Sequence, residues 1–414
     1  MSERRPGSLE GIRVIEISTS VAGPLVGQTL GDLGAEVIKV ERVGVGDDTR
    51  AWAPPTWDHL SVIFLGLNRN KRSVELDYKD ERGREVLERL IASADVLVQN
   101  LRPGALAKAG LDVARLRELN PGLVYCEMTG FGPHGPKKDD PAYDPLLQAY
   151  SGIVDMVSSG EGAPIRVPLS VLDKGTGMWA VIGILDALRR RDRTGEGAHL
   201  EVSLLQTALS WVNAGLMSAR AGNEKRERLG SGHDGVVPYG AFPVSDGYVF
   251  LSAGNQALWT RFCRATGADD LLDRDGFASN PERAANRRTV EAAVGEVTMR
   301  FDAATLLARL AEAGVPASRV NKVEDMVHDE QALSTGMLER VEHPVIDGFE
   351  VVNLPMTFDG EYPAHQCAPP LLGADTRAVL AGLGYSDDEL RAMLDDAVVA
   401  ATSEGPQGTT EERS

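Results

Sequence analysis

Asp173 is the residue whose type and setting best suit covalent chemistry. It stands in Val171-Leu-Asp-Lys-Gly-Thr-Gly, at the start of an apolar stretch with helical character. A carboxylate at a helix start lies near the positive end of the helix dipole, which favours its anionic form. Gly175 and Gly177 have no Cβ, so a bulky ligand can approach the backbone there. The segment predicts either a nucleophile that forms an acyl-enzyme or a helix N-cap, and alone it favours the cap.

Composition narrows the class of protein. The chain has 414 residues, a formal net charge of −18 and 43% hydrophobic residues, which indicates a globular protein of two domains. The acidic balance argues against a nucleic-acid partner, and no apolar run is long enough to span a membrane. The N-terminal residues lack the apolar stretch of a signal peptide, and three scattered cysteines indicate a reducing, cytoplasmic setting without a zinc site.

The elements that must position Asp173 follow an α/β pattern. Ile12-Arg-Val-Ile-Glu-Ile17 and Glu36-Val-Ile-Lys-Val-Glu41 read as strands around a helix, which predicts a parallel sheet in a Rossmann-like layer. Further strands are expected near Asp95–Gln99, Gly122–Met128 and His199–Ser203, with a helix over 175–190. The predicted divisions are a large domain (1–205), a linker helix (206–224), a small α+β domain (225–330), a linker returning to the large domain (331–400) and a disordered tail (401–414).

Several common active-site motifs are absent. The first strand leads into Ser18-Thr-Ser-Val-Ala-Gly-Pro24 rather than the glycine fingerprint of dinucleotide-binding proteins. The chain also lacks a Walker A lysine, an H-E-x-x-H zinc motif and a G-x-S-x-G elbow. We therefore expect no permanently bound cofactor, no metal site and no serine nucleophile.

Basic residues do recur beside the expected strand ends, where open α/β sheets bind ligands. Each one alone is typical of a solvated surface, but together they suit a phosphorylated, adenine-bearing ligand. The set comprises Arg42, Lys71, Arg72, Lys79, Arg102 and Lys108.

A series of short segments resembles one known family over residues 8–400. The chain is identified on them as a member of the family III CoA-transferases, which include formyl-CoA and carnitine CoA-transferases and the α-methylacyl-CoA racemases. The segments include Leu9-Glu-Gly-Ile-Arg-Val-Ile-Glu-Ile, Leu33-Gly-Ala-Glu-Val-Ile-Lys-Val-Glu-Arg42, Asn68-Arg-Asn-Lys-Arg-Ser-Val-Glu-Leu-Asp77, Asn100-Leu-Arg-Pro-Gly104, Ala142-Tyr-Asp144, Thr194-Gly-Glu-Gly197 and Ala368-Pro-Pro-Leu-Leu-Gly373.

The resemblance implies a Rossmann-like large domain built from both chain ends, a smaller α+β domain and an interlocked homodimer. It implies that Asp173 is the covalent nucleophile and that acyl-CoA and a small carboxylic acid are the substrates, with Tyr143 beside the reaction. It also implies a CoA site, in which Lys108 stands where formyl-CoA transferase has arginine. Its residues would be Val21, Ala22, Arg42, Leu76, Lys79, Asn100, Leu101, Arg102 and Lys108.

Two departures separate the chain from the racemase branch. That branch uses a histidine in a His-Asp pair, where this chain has Tyr143-Asp144, and a glutamate where this chain has Asn255. A side-chain amide does not exchange a proton in this way, so racemisation by the family's route is disfavoured. His134 lies nearby in a glycine-rich loop, where a flexible loop residue is the favoured interpretation.

The acceptor pocket is less defined than the nucleophile. Asp144, Gly232 and His233 are its candidates, although a turn histidine explains His233 equally well. The chain has only Gly230-Ser-Gly232 where formyl-CoA transferase has a long tetraglycine loop, which favours a larger acyl group such as succinyl. The leading hypothesis is transfer of CoA from an acyl-CoA to a carboxylic acid through aspartyl anhydride and aspartyl-CoA thioester intermediates. The alternatives are a racemase with substitute bases and a CoA-binding protein without catalysis.

Overall fold

The chain forms two compact units. A computed structural model describes residues 7–158, 163–223, 228–365 and 367–402, so all of the expected tail beyond 402 lies outside the described residues. The first unit comprises Met1–Ser151, Pro168–Asn213 and Gly336–Ser414, and the second comprises Gly152–Val167 and Ala214–Thr335.

One segment groups differently from the bounds drawn on the sequence. Residues 152–167, which those bounds placed in the large domain, belong to the second unit. One contact within the second unit joins this segment to residues far along the chain: Arg228 Nε donates to Asp155 Oδ1 at 2.9 Å, across 73 residues of sequence. Such a pairing leaves no periodic pattern for sequence reasoning to use.

The described residues contain strands and helices in the following chain order. The strands are β1 (Arg13–Ile17), β2 (Glu36–Glu41), β3 (Thr56–Trp57), β4 (Leu60–Ser61), β5 (Lys71–Leu76), β6 (Val96–Gln99), β7 (Val124–Thr129), β8 (Ala198–Ser203), β9 (Tyr239–Val244), β10 (Gly247–Ser252), β11 (Ala317–Arg319), β12 (Leu338–Arg340), β13 (Glu350–Val352) and β14 (Val399–Ala400). The helices are α1 (Ala22–Asp32), α2 (Val62–Leu65), α3 (Glu81–Ala92), α4 (Ala105–Lys108), α5 (Val113–Leu119), α6 (Asp144–Tyr150), α7 (Ile153–Val157), α8 (Val171–Thr194), α9 (Leu204–Trp211), α10 (Asn213–Arg220), α11 (Gln256–Thr266), α12 (Asn280–Ala285), α13 (Arg287–Thr298), α14 (Ala303–Glu312), α15 (Glu330–Ser334), α16 (Thr376–Gly382) and α17 (Asp387–Asp395).

The first unit is built on a seven-stranded sheet of order β14-β5-β2-β1-β6-β7-β8. All strand pairs are parallel except β14, which runs antiparallel to β5 and adds a segment from the end of the chain. The expected α/β class with a large parallel sheet is therefore confirmed. Sequence reasoning missed β5, because Lys71-Arg72-Ser was read as part of a basic surface instead of a strand.

Apolar side chains alternate between the two faces of this sheet, which is the pattern of strands buried on both sides. Ile15 and Leu97 point into a core shared with α3, α16 and α17. Val14 and Val98 point into the opposite core, which includes side chains of α1 and α8. The sheet thus holds α1 and α8 on the same face.

The second unit has its own core. A three-stranded antiparallel sheet of order β11-β10-β9 packs with the apolar sides of α11, α13 and α14. Trp259, Phe262 and Phe277 are fully buried there. Within the described residues of both units, none of the helices is long and apolar enough to cross a bilayer.

Four charged side chains are buried together between β1, β2, the first residue of β5 and the loop after β2. Lys39 Nζ lies 2.7 Å from Glu16 and 2.8 Å from Asp47, and Lys71 Nζ lies 2.8 Å from the other oxygen of Glu16. Asp47 also accepts from the backbone N–H of Ser20 at 3.1 Å, which joins the loop after β1 to the loop after β2. Burial lowers the pKa of Lys71 to about 8, whereas the carboxylates around Lys39 overcome its burial and raise its pKa.

We expect Lys71→Met to destabilise the first unit by about 3 kcal/mol, because one oxygen of Glu16 then remains buried without a partner. Chemical denaturation monitored by circular dichroism measures this loss. Arg72→Met is the matched control, since its side chain is 35% exposed on the next position of β5 and its removal changes stability by about 1 kcal/mol at most. Equal losses for the two variants would contradict the assignment.

Candidate active site

Asp173 lies inside the first turn of α8. The N-cap of this helix is Ser170, whose side chain makes no capping hydrogen bond, and Asp173 is the third helical residue. The interpretation of Asp173 as the cap is therefore wrong. Its carboxylate makes no hydrogen bond to any described residue, and the residue is half-buried. A carboxylate in this setting keeps both oxygens available for a ligand.

The helix is capped by a carboxylate from elsewhere in the chain. Oδ2 of Asp144 accepts from the backbone N–H of Leu172 at 2.6 Å and of Asp173 at 3.1 Å. Its Oδ1 accepts from the side-chain amide of Gln148, one turn further along α6. Asp144 is only 2% exposed, so both of its oxygens are occupied within the protein. Asp144 therefore fixes the backbone position of Asp173.

This arrangement has an electrostatic consequence for Asp173. Burial first, and the negative charge of Asp144 second, raise the pKa of Asp173 to about 7. The helix N-terminus favours the anion, but its amide donors are already taken by Asp144. A strongly shifted carboxyl group without a structural partner marks a candidate reactive residue.

The glycines of α8 serve packing within the protein. A Cβ on Gly175 would lie 2.2 Å from the ring of Trp211, and one on Gly177 would lie 3.0 Å from the carbonyl oxygen of Ala22 and from Leu25. The expectation that these glycines leave space for a ligand is therefore corrected. Instead, Gly177 allows the first turn of α1 to contact the first turns of α8.

Tyr143 is linked to the start of α8 through its neighbour in the chain, Asp144. It is the N-cap residue of α6, in extended conformation, and it directly precedes Asp144. Its side chain is 60% exposed, and no hydrogen bond of its hydroxyl to a described residue is present. The ring and its hydroxyl are thus accessible to a ligand.

The predicted CoA residues lie near the carboxyl ends of the sheet's strands, because they end or follow the neighbouring parallel strands β5, β2, β1 and β6. Val21 and Ala22 follow β1, Arg42 follows β2, Leu76 ends β5, and the remaining ones follow β6. Those remaining residues are Asn100, Leu101, Arg102 and Lys108, while Lys79 lies just past β5.

The members of this set differ in exposure. Val21, Ala22 and Leu76 are at most 5% exposed, so their side chains are largely enclosed in the fold. The four cations Arg42, Lys79, Arg102 and Lys108 are exposed. Arg42 pairs with Asp48, whereas no ion pair with a described residue involves the other three. Lys71, predicted in the same basic surface, is instead buried in β5.

Asn100 orders the loop that carries Val21 and Ala22. Its Oδ1 accepts from the backbone N–H of Thr19 at 2.9 Å, and its Nδ2 donates to the carbonyl of Thr19 at 2.7 Å. Together with the contact of Ser20 to Asp47, this holds the β1–α1 loop from both sides. Thr19 and Asp47 were missed in the sequence, where each looks like an ordinary loop residue.

The acceptor-pocket candidates of the second unit make local contacts. Nδ1 of His233 accepts from the backbone N–H of Gly235 at 3.2 Å, and its ring contacts Tyr239 edge-on at 5.6 Å. Gly232 donates its N–H to the carbonyl of Leu229 at 2.9 Å in the same turn. Asn255, at the position of the racemase glutamate, caps α11 by accepting from Leu258 N–H. His134, in the first unit, is exposed in its loop.

The fold agrees with comparisons to known proteins. Residues 9–376 match the family described as CoA-transferase family III. The chain belongs to this family. A succinate–glutarate CoA-transferase of Agrobacterium fabrum is 36% identical, covering 92% of this chain and 97% of that protein. Succinyl-CoA:glutarate CoA-transferase of Mus musculus is 32% identical, covering 94% and 90%.

The solved structures give the same result for the fold. A CAIB/BAIF family protein from Brucella suis superposes with a TM-score of 0.84 at 36% identity, covering 92% of this chain and all of that one. The chain is thus a CoA-transferase with a mixed α/β fold, and the resemblance seen in its short segments is confirmed. Its substrates are a CoA thioester and a carboxylic acid.

Proposed function

We propose that this CoA-transferase moves CoA between dicarboxylic acids, of the succinate and glutarate type, through covalent intermediates on Asp173. The observation that carries the proposal is the Asp173 carboxylate itself, which is half-buried, without a hydrogen-bond partner among the described residues, and raised in pKa to about 7. The relatives named for succinyl-CoA and glutarate support the substrate class. The short Gly230-Ser-Gly232 segment agrees with an acyl group larger than formyl.

Four exchanges complete the reaction. Asp173 attacks the acyl-CoA carbonyl, which gives a mixed anhydride and releases CoA thiolate. The thiolate attacks the Asp173 carbonyl, which gives an aspartyl-CoA thioester and releases the donor acid. The acceptor carboxylate attacks this thioester, which gives a second anhydride and thiolate. The thiolate then attacks the acceptor's carbonyl, forming the new acyl-CoA and restoring the Asp173 carboxylate.

The residues around Asp173 have separate roles in this scheme. Asp144 keeps the first turn of α8 in position through its contacts to Leu172 and Asp173. The exposed hydroxyl of Tyr143 donates to an oxygen of the anhydride, which stabilises the charge that develops there. Each step exchanges one activated acyl group for another, so the carboxylate acts as a nucleophile and needs no proton transfer from a second base.

The proposed CoA site is supported by the exposed cations at the carboxyl ends of the strands. The β1–α1 loop, held by Asn100, leads into the turn of α1 that contacts Gly177 of the nucleophile helix. A ligand along these strand ends therefore extends from Lys79 and Arg102 toward the start of α8. Binding of the distant phosphates holds the thioester beside Asp173.

Removal of the phosphate-binding charges is expected to weaken binding and leave the chemistry intact. Lys79→Ala and Arg102→Ala should each raise the KM for acyl-CoA by about 10-fold with little change in kcat, because each loses one charge-assisted contact. Initial rates at varied acyl-CoA measure this, and the increase should shrink at high salt. Arg264→Ala, an exposed arginine of α11, is the control. A wild-type KM in both variants would remove them from the CoA site.

Hydroxylamine trapping tests the covalent scheme directly. The protein is incubated with succinyl-CoA and then with hydroxylamine, which converts an aspartyl anhydride or thioester into a stable hydroxamate. We expect peptide mass spectrometry to place the hydroxamate on Asp173 and to find none in Asp173→Asn. A hydroxamate on another residue, or none with any dicarboxylyl-CoA, would refute the scheme. Deuterium entering the α-carbon without acyl exchange would instead support the racemase alternative.

A homodimer in the cytoplasm is also proposed. Its support is a set of exposed apolar side chains on α6, its N-cap residue and α8, since large exposed apolar patches mark protein interfaces. Light scattering after gel filtration measures the mass, and a monomer at micromolar concentration would exclude the dimer. The patch comprises Tyr143, Leu146, Tyr150, Met178, Trp179 and Ile182, each 46% exposed or more.

A further inference from the structure

A cluster of potential metal-ligating side chains lies on β7 and β8, at the β8 side of the seven-stranded sheet. None of these residues takes part in the proposed CoA-transfer reaction. Glu127 is on β7, and His199 and Glu201 are on β8, the last strand of the sheet. In the parallel pairing of these strands, Glu127 stands opposite Glu201 and Tyr125 stands opposite His199. All of these side chains point to one face, because alternate residues of a strand share a face.

The three side chains converge closely enough to share an ion. One donor atom from each of Glu127, His199 and Glu201 lies within 4.8 Å of the others. His199 Nε2 and Glu127 Oε2 are already 3.3 Å apart. Donor atoms around a tetrahedral Zn²⁺ are roughly 3.4 Å apart, given metal–ligand lengths of about 2.1 Å. Small rotations of the exposed Glu201 side chain close the remaining gap.

The charge in this cluster is not balanced by the protein. Glu127 and Glu201 are carboxylates directly opposite each other, a pairing that destabilises a sheet. Among the described residues, His199 is the one ion-pair partner of Glu127, and Glu201 has none. A bound cation would relieve the repulsion.

The surroundings hold the imidazole in a fixed orientation. The ring of His199 stacks on Tyr125 with centroids 4.8 Å apart and planes 6° apart. The Tyr125 hydroxyl accepts from Gln99 Nε2 at 3.0 Å, which anchors the stack in β6. Such outer contacts orient metal ligands. Tyr125 and His199 also line a cavity of about 300 Å³, which gives solvent and ions a route to the ring.

We propose that Glu127, His199 and Glu201 bind one divalent transition-metal ion, of the Zn²⁺ or Mn²⁺ class, at the β7–β8 edge of the sheet. One imidazole nitrogen and two carboxylate oxygens suit these borderline ions better than Ca²⁺ or Mg²⁺, which prefer oxygen ligands alone. Water fills the remaining positions on the open side of β8. The ion joins two strands and neutralises the opposed carboxylates, so its role is to stabilise this edge. Sequence motifs indicated no metal site, because the ligand strands are 72 residues apart.

The test is calorimetric titration of the full chain, stripped with EDTA, with Zn²⁺ and with Mn²⁺. We expect one ion per chain for the wild type and a melting temperature about 3 °C higher at saturating ion, as for any ligand of the folded state. His199→Gln and Glu201→Gln should each weaken binding by about 10-fold or more. Glu296→Gln, an exposed glutamate of α13, is the matched control and should bind as the wild type does.

Two outcomes would overturn the site. Absence of binding by the wild type at millimolar concentrations of both ions would show that His199 serves only as the partner of Glu127. Equal binding by the wild type and by the double variant His199→Gln/Glu201→Gln would place the ion on other residues, such as the exposed Cys367. Neither readout depends on CoA transfer, so failure here leaves the proposed reaction unaffected.

Discussion

Asp173→Asn is expected to lower kcat for CoA transfer by about 10⁴-fold or more, because the amide cannot form the anhydride that starts the reaction. Transfer of CoA from succinyl-CoA to labelled glutarate, read by mass spectrometry, measures the rate. Binding of acyl-CoA should persist, since the exposed cations that we propose to bind its phosphates are unchanged. A variant that retains more than a tenth of wild-type kcat would exclude Asp173 as the nucleophile.

The same variant separates chemistry from folding. The pKa of Asp173 is raised in the folded protein to about 7, so the native state binds more protons than the unfolded state between the ordinary value of 3.8 and about 7. The stability of the wild type therefore falls as pH rises through this window. Asp173→Asn carries no such charge, so it should be more stable than the wild type at pH 8, and this advantage should disappear at pH 4. Thermal unfolding at the two pH values measures the difference.

Reactivity should follow the same titration in the opposite direction. Because the proposed nucleophile is the deprotonated carboxylate of Asp173, kcat/KM should rise with pH through about 7 in the wild type. This rise of kcat/KM with pH, the pH limb of the wild type, is the baseline for variants of Asp144.

Asp144→Asn and Asp144→Ala are expected to have different effects, because Asp144 acts on Asp173 in two ways. The asparagine keeps an acceptor for the N–H groups of Leu172 and Asp173 but removes a negative charge that raises the Asp173 pKa. In Asp144→Asn, the rise of kcat/KM with pH should therefore occur at lower pH than in the wild type. Alanine removes the acceptor as well, which displaces the first turn of α8. Its kcat should fall by about 100-fold, and its stability should fall by about 1–2 kcal/mol.

A pH–rate series and denaturation curves for both variants distinguish positioning from a general loss of structure. Asp186→Asn is the control, since Asp186 is an exposed residue of the same helix. If Asp144→Asn keeps the wild-type limb, the charge of Asp144 does not govern Asp173. If Asp144→Ala keeps wild-type kcat, the cap does not position the nucleophile.

Much of the scaffold was predictable because its signals are local. The alternation in β1 and β2 and the apolar period of α1 and α8 depend on near neighbours in the chain, so the parallel sheet and its order of elements could be inferred. The structure places β2 at Glu36–Glu41, as predicted, and extends the predicted helix 175–190 to Val171–Thr194. The predicted linker helix 206–224 is instead broken at Val212 between α9 and α10.

Features that combine distant residues were not predictable in this way. Lys71, in a basic segment, looks like a surface residue in the sequence. In the structure it is buried and forms an ion pair with the carboxylate of Glu16, 55 positions earlier. Gly175 and Gly177 looked like openings for a ligand, but Trp211 and α1 occupy the space. In each case, the partner is set by packing between elements, and no local period records that packing.

The sequence by itself determined the family and the parallel sheet and singled out Asp173 as the candidate reactive carboxylate, because short segments and local periodicity carry that information. Only the tertiary structure decided what surrounds Asp173. It places Asp173 inside the first turn of α8 and not at the N-cap. It also supplies Asp144, 29 residues upstream, as the acceptor of the helix amides. The physical reason is that a pKa depends on burial and on charges nearby in space, and these are set by the fold.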